Sequence, residues 1–250
     1  MLDVLPEPIM STPLSTLLSE RFSCRDFKAN PLPDGLLEEI LSDALQSPSW
    51  SNTQPYRFAI AQGDVRERLS SEFKRRFQLA AKVQRAGPLG RIWAWLSGNQ
   101  GLPSGDFKQA LVYPKELQPR RLKTAKALYE LLGVARGDLD ARDAQTARNF
   151  EFFGAPSVVF IFVHRGLGVY SVLDAGICLQ SILLAAQSQG VATCAQGALA
   201  LWRAPLDAEF DIPKDYQLLC GVSLGYASDH PVNQFESTRL ALSELAIPER

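Results

Sequence analysis

The sequence predicts an α+β fold, a single domain over residues 1–250 built on a mixed central β-sheet surrounded by helices. Three observations carry that prediction. Strand-like apolar runs alternate only loosely with helical patterns. Several helical patterns follow one another in the middle of the chain, which a repeating βαβ wheel would not show. No internal repeat or linker interrupts the 250 residues, a length that suits one large domain.

The elements follow in order. Residues 12–20 read as a helix, with Thr12 as N-cap, Pro13 at the first helical position, and Leu14, Leu17 and Leu18 on one stripe. A basic stretch, Arg21 to Phe27, leads to the turn NPLPDG, where Asp34 is placed to cap the next helix. That helix carries Leu36, Leu37, Ile40, Leu41, Ala44 and Leu45 and stops at Ser47-Pro48. After the loop SPSWSNTQPY, residues 56–61 read as a buried strand. Val65, Leu69, Phe73 and Phe77 recur every four residues and predict a long amphipathic helix. Between Gly87 and Pro119 Gly, Pro and Trp are dense and no period survives. This predicts a long loop, a lid or binding insert. Leu122, Ala125, Leu128, Tyr129 and Leu132 give a helix ended by Gly133, and another starts at Asp138. Residues 157–163 form a buried strand. Val172, Ala175, Leu179, Ile182, Leu183 and Ala186 mark an apolar helix for the core or an interface, ended near Gly190. Strands follow at 191–195 and 216–224. Residues 229–250 have little of their own to pack and are expected to lie on another surface.

Composition removes several classes of function. With 26 Lys+Arg against 27 Asp+Glu the chain lacks the positive excess of a nucleic-acid binder. No apolar run is expected to reach the ~18 residues of a membrane span. The start MLDVLPEPIM lacks the basic end and apolar core of a signal peptide. The four cysteines, Cys24, Cys178, Cys194 and Cys220, are scattered without a CxxC pair, which predicts reduced thiols in the cytoplasm. With two histidines, His164 and His230, a His-rich metal site is not expected. So thin a set of side-chain catalysts points to a borrowed reagent, a cofactor.

Some motifs fail on context. Gly221-Val222-Ser223-Leu224-Gly225 matches a nucleophile elbow, but Tyr226 to Pro231 reads as a turn where the elbow needs a helix. The later His230 stands beside Asp229, too close for a triad. Gly166-Leu167-Gly168 lacks the third glycine of a dinucleotide fingerprint. Phe150, Phe152 and Phe153 read as packing, and Cys178 and Cys194 as small buried apolar residues. Trp93 and Trp95 fit core or exposed aromatics as readily as substrate contacts.

Two segments remain. Arg21-Phe22-Ser23-Cys24-Arg25 places two guanidinium forks four residues apart with a hydroxyl between, a clamp for an anion such as a phosphate. A solvated helix end, or Arg25 paired with Asp26, would carry the same residues. The loop from Ser47 to Phe58 sets small hydrogen-bonding side chains beside prolines and aromatics and stays uncharged up to Arg57. This suits a flat, polar heteroaromatic ligand.

These segments resemble the FMN-dependent nitroreductase family. The motifs Arg21-x-Ser23-x-Arg25-x-Phe27, Pro31-x-Pro33 with LLEEIL, SPSxxNxQPYRF, NFEFFGAP, Asp174-Ala175-Gly176 and IPKDYQLLCGVSLGY stand in the family's order nearly end to end. The insert YPKELQPRR and the tail Asp229-His230-Pro231-Val232-Asn233 resemble the nitrobenzoate-reductase-like branch.

The resemblance implies an FMN cofactor, NADH or NADPH as reductant, and ping-pong hydride transfer through flavin N5 to nitroaromatic or quinone-like acceptors. It implies a homodimer with the C-terminal extension on the partner. Arg21, Phe22 and Ser23 would bind the phosphate and ribityl chain, and Arg25 the ribityl or the pyrimidine oxygen. Arg239 would reach the phosphate. Pro48, Ser49, Trp50 and Asn52 of the other subunit would cover the ring. The turn Ala195-Gln196-Gly197 would lie by the flavin, with a backbone N–H of Gln196 or Gly197 facing N5. Tyr113 and Pro114 would stand at the pyrimidine end. Trp50 and Gln196 depart from the small residue and the Glu that relatives often carry there. A relative with another reductive reaction, dehalogenation or flavin fragmentation, and a flavin-binding protein without turnover remain alternatives. No metal, nucleic-acid or membrane partner is expected.

Overall fold

The computed structural model describes residues 13–108 and 112–249. The expected N-cap Thr12 lies outside them. Helix α1 runs Leu14–Glu20, directly after Pro13. Helix α2, Leu36–Ala44, starts from Gly35, not from an Asp34 cap: Gly35 has φ 83°, a left-handed turn that glycine adopts without a Cβ clash. Strand β1, Tyr56–Gln62, leads into α3, Gly63–Arg85, whose buried face carries Leu69 and Phe73 as the four-residue spacing predicts.

The 87–119 stretch differs from the expected loop. Gly87–Leu96 is a helix, α4. Pro88 sits in its first turn, where no backbone N–H is needed. Leu89, Ile92, Trp93 and Leu96 do hold helical spacing, but only over ten residues. They face outward, with Trp93 67% and Trp95 73% exposed. Helix α5, Gln118–Leu131, and helix α6, Leu139–Ala147, complete the helical middle. The Asp138 carboxylate caps α6 by accepting from the Ala141 N–H.

Strand β2 (Ser157–His164), helix α7 (Val169–Ser188), strand β3 (Ala192–Gln196), short helix α8 (Ala204–Asp207) and strand β4 (Tyr216–Gly225) form the second half. The sheet order is β1-β2-β4-β3. All three strand pairings are antiparallel, so on the described sheet the expected mixed character shrinks to a parallel bridge of Ser23 with Thr193 of β3, with a second parallel bridge, Ser104 with Trp202, away from the four strands. β2 is apolar on both faces because both are covered. Val158, Phe160 and Phe162 pack with α3 residues, while Val159, Ile161 and Val163 pack with residues of α2 and α7. β1 is an edge strand, and the expectation of a fully buried strand fails there. Arg57 stays exposed on the face of Ala59 and Ala61, and Ile60 and Gln62 on the opposite face.

The Gly221–Gly225 stretch lies wholly inside β4. A Cβ at Gly221 would stand 2.5 Å from Leu199 Cδ1, so close packing explains that glycine. Helix α7 corrects one exclusion: it has a mean hydropathy of 1.7 and the length of a membrane span. Here it packs on α1, α2 and three strands with Ala175, Cys178, Ile182 and Ala186 buried. Val169, Tyr170 and Leu173 on its first turns are left exposed. After β4 the chain is largely irregular. A short helix α9, Leu242–Leu245, shows Leu242 and Leu245 to solvent, and Ile247 follows them.

Candidate functional site

The clamp is laid along the free side of β3. Ser23 bridges Thr193, and the Cys24 N–H donates to the Thr193 carbonyl at 2.9 Å. Phe22 packs on the core and points the chain. Asn233 fixes the clamp's far end: its Oδ1 accepts the Arg25 N–H at 2.8 Å and its Nδ2 donates to the Asp26 carbonyl at 2.7 Å. Arg25 donates to the Ser23 carbonyl and lies over the Phe235 ring. Among the described residues neither Arg21 nor Arg25 is paired with a carboxylate. Asp26 does not take Arg25. Its carboxylate holds Arg148 Nη2 at 2.6 Å and accepts from the Ser228 hydroxyl at 2.5 Å. Arg239 is exposed and donates to Ser237.

Burial alone would raise the Asp26 carboxyl. The Ser228 hydroxyl and the Arg148 guanidinium outweigh it and hold the group below the usual carboxylate range. A depressed folded pKa gives stability that is fully present above the unfolded value, about 3.9. It is lost as pH falls through the lower, folded value. Asp26→Asn should therefore cost about 2 kcal/mol at pH 7. In urea titrations the gap to the parent should shrink as pH falls below the unfolded value, about 3.9.

β3 ends at the turn Ala195-Gln196-Gly197. Ala195 and Gly197 are exposed and Gln196 between them is buried. The Gln196 side chain points inward. Its Nε2 donates to the Asn149 carbonyl at 2.9 Å and its Oε1 accepts from the Ser223 hydroxyl. What this turn offers outward is therefore backbone.

The third part, residues 47–54, precedes β1. Ser51, Asn52 and Gln54 have φ of 48°, 56° and 45°, a left-handed conformation costly for residues with a Cβ. The Trp50 N–H donates to Asp174 Oδ2 at 3.1 Å, and Ser47 Oγ donates to Ser181 Oγ at 2.7 Å. Trp50 is 52% exposed and meets Tyr170 edge-on at 4.0 Å between ring centres. The Gln54 N–H donates to Ser49 Oγ and its Nε2 to Asn52 Oδ1. Pro48 is exposed.

The structure joins the clamp to the β3 turn but does not bring the loop to them. Thr193 pairs with Leu224, near the level of Ser157 and Gln62, while the loop enters at Tyr56, beside Val163. Three strand spacings of ~4.8 Å and six residues at ~3.3 Å put these corners about 25 Å apart.

The remaining candidate chemistry is already occupied. His164 and His230 each accept a backbone N–H at Nδ1, from Gly166 and Val232, and so fix turns. Burial pushes the Cys24 and Cys220 thiols up to about 12 and Cys194 to about 11, and it also raises Cys178, so all four stay protonated at neutral pH. Phe150, Phe152 and Phe153 are core, as expected. Among the described residues no group of three or more His, Cys, Asp or Glu is placed to hold a metal. Sequence reasoning gave no role to Asn149, Arg148, Asp174, Ser223 or Asn233 in holding these parts. Asp174 carried two signals, its place in the Asp174-Ala175-Gly176 motif and its being the only charge between Arg165 and Arg203.

Two guanidiniums without a carboxylate partner among the described residues, a hydroxyl between them and an exposed turn at the end of β3 define the class, an α+β protein with a surface cradle suited to an anion. The family model described as the nitroreductase family matches residues 18–226, and the chain belongs to that family. It is 30% identical over 236 residues to a chloronitrobenzene nitroreductase of Comamonas testosteroni, covering 92% of this chain and 94% of that protein. It is 31% identical over 234 residues to a nitrobenzene nitroreductase of Ectopseudomonas oleovorans, with the same coverage. Among solved structures, the FMN-dependent nitroreductase NfnB from Mycobacterium smegmatis in complex with NADPH superposes with a TM-score of 0.79. It is 27% identical and covers 94% of this chain and 97% of that one.

Proposed function

We propose that the protein is an FMN-dependent oxidoreductase that takes hydride from NADPH and reduces nitroaromatic or quinone-like acceptors, working as a homodimer in the cytoplasm. The observation that carries this reading is the pair Arg21 and Arg25. They flank Ser23 without carboxylate partners among the described residues, beside the strand that ends in the exposed Ala195–Gly197 turn. A phosphate dianion supplies what this donor set lacks, so the residues fit FMN. Relatives named for chloronitrobenzene and nitrobenzene, and an NADPH complex within the same fold, support the choice of acceptor and reductant.

When bound, FMN supplies hydride chemistry at N5, which needs no protein nucleophile. The chain's own residues bind and orient. Arg21 and Ser23 take the phosphate and ribityl end, and Arg25 the polar edge of the ring. The turn, locked from below by Gln196, lies by the ring. Arg239 lies six residues beyond Asn233 and would join the phosphate by leaving Ser237.

The loop with Pro48, Ser49, Trp50 and Asn52, which enters the sheet at Tyr56, about 25 Å from the Thr193 corner beside the clamp in its own chain, covers the ring of the partner's site. Apolar side chains exposed on α1 and α7 (Leu14, Leu18, Val169, Leu173) form the contact between chains. The 229–250 extension, with Leu242, Leu245 and Ile247 bare, packs on the partner. Residues 87–119, with Trp93 and Trp95 outward, border the acceptor's entrance. Four reduced thiols suit the cytoplasm.

Steady-state assays with NADPH against nitrobenzene, nitrobenzoate, quinone and halophenol panels test the reaction. Turnover of the nitro compounds or quinone supports it, and turnover confined to halophenols contradicts it. Sedimentation tests the assembly: a monomer at micromolar concentration that still holds FMN contradicts the shared site.

A further inference from the structure

Asp174 is 3% exposed and lies in the otherwise uncharged helix α7. A buried carboxylate persists where donors face it, and the donor here is the main-chain N–H of Trp50 at 3.1 Å.

That amide opens the strained part of the loop. Ser51, Asn52 and Gln54 all hold left-handed backbone without being glycine, and such strain survives only where surrounding contacts over-determine it. Contacts within the loop fix its shape. The Asn52 N–H donates to the Ser49 carbonyl, the Thr53 N–H to the Trp50 carbonyl, and the Gln54 N–H to Ser49 Oγ. Contacts that fix where the loop sits go to α7: Trp50 N–H to Asp174, Ser47 to Ser181, and the Trp50 ring to Tyr170. Of these, the bond to Asp174 holds the main chain itself, and its acceptor is anchored in the core beside the buried Ala175 and Cys178.

We propose that Asp174 is a positioning residue, which holds the Trp50 amide and so sets the place of the Trp50–Asn52 segment over the flavin ring and the acceptor beside it. The inference rests on the function proposed above and adds a residue to it. The carboxylate acts as a hydrogen-bond acceptor, so an amide oxygen at the same place should serve nearly as well.

The test uses the FMN-loaded protein and its Asp174→Ala and Asp174→Asn variants, with NADPH and nitrobenzene. Asp174→Ala is expected to raise the KM for nitrobenzene and the Kd for FMN about tenfold, with a changed flavin visible circular dichroism. Asp174→Asn should stay within about twofold of the parent. Unchanged KM, Kd and spectrum in Asp174→Ala overturn the proposal, and so does an Asn variant as impaired as the Ala variant. If Asp174→Ala does not fold, hydrogen exchange in the parent protein decides. The Trp50 amide, although its residue is exposed, should exchange at least tenfold more slowly than the Ser51 amide, and equal rates overturn the proposal. A parent protein that binds no FMN defeats the function itself, while the exchange experiment still reads the Asp174 contact.

Discussion

Replacing Gln196 by glutamate is expected to destabilise the protein by about 3 kcal/mol at pH 8 and by far less at pH 4. The reason lies in the two partners of that side chain. Asn149 offers a carbonyl oxygen, which only accepts, so the atom facing it has to donate. Ser223 offers a hydroxyl, which donates to the other oxygen. An ionised glutamate would set a carboxylate oxygen against the Asn149 carbonyl in a buried place. A protonated glutamate reproduces the amide's pattern. Burial and the lost donor both raise the folded pKa of the introduced acid above the unfolded value of about 4.3. The penalty is absent while both states are protonated and grows as pH rises through the window between the two values. Urea titrations of the two proteins from pH 4 to pH 8 measure it. A pH-independent difference would mean that the side chain does not point inward at this turn.

Arg21→Ala is expected to leave folding stability within about 0.5 kcal/mol, because among the described residues the side chain has no carboxylate partner to abandon. It should weaken FMN binding by about 10- to 100-fold, the worth of a charge-assisted bond of ~1.5–3 kcal/mol. Arg21→Lys keeps the charge without the planar fork and should lose less. The parent's FMN affinity should fall with added salt more steeply than that of the Ala variant, since one charge contact is missing from the latter. Equilibrium titration of the apoproteins with FMN reads all three. An Ala variant with parental affinity would remove Arg21 from the site.

Much of the fold was legible because local pattern and burial agree. β2 and β4 read as strands since both their faces are covered, and α3 repeats its apolar residues every four positions. The failures are places where pattern and environment part. β1 looks as apolar as a central strand, and only the sheet order reveals it as an edge. In α4 a helical period lasts ten residues among glycines and tryptophans, and it faces solvent.

The candidate site divides in the same way. The Arg21–Arg25 clamp and the Ser47–Gln54 loop are contiguous and could be read as units. The contacts that hold them are not local: Asp174 meets Trp50 across 124 residues, Arg148 meets Asp26 across 122, and Gln196 meets Asn149 across 47. No spacing announces such pairs. Arg25 shows the gain, since beside Asp26 it could have been a local ion pair, and the structure gives that acid to Arg148 and Ser228.

The central claim, that this chain binds FMN and uses it to pass electrons from NADPH, is tested most directly by one spectrum. The purified protein, loaded with FMN and freed of excess, is titrated anaerobically with NADPH while the visible band of the oxidised flavin is followed. Loss of the band with about one equivalent of NADPH per flavin, and its return on adding nitrobenzene, is the predicted result. Protein that retains no flavin, or a flavin band that NADPH leaves unchanged, would contradict the account.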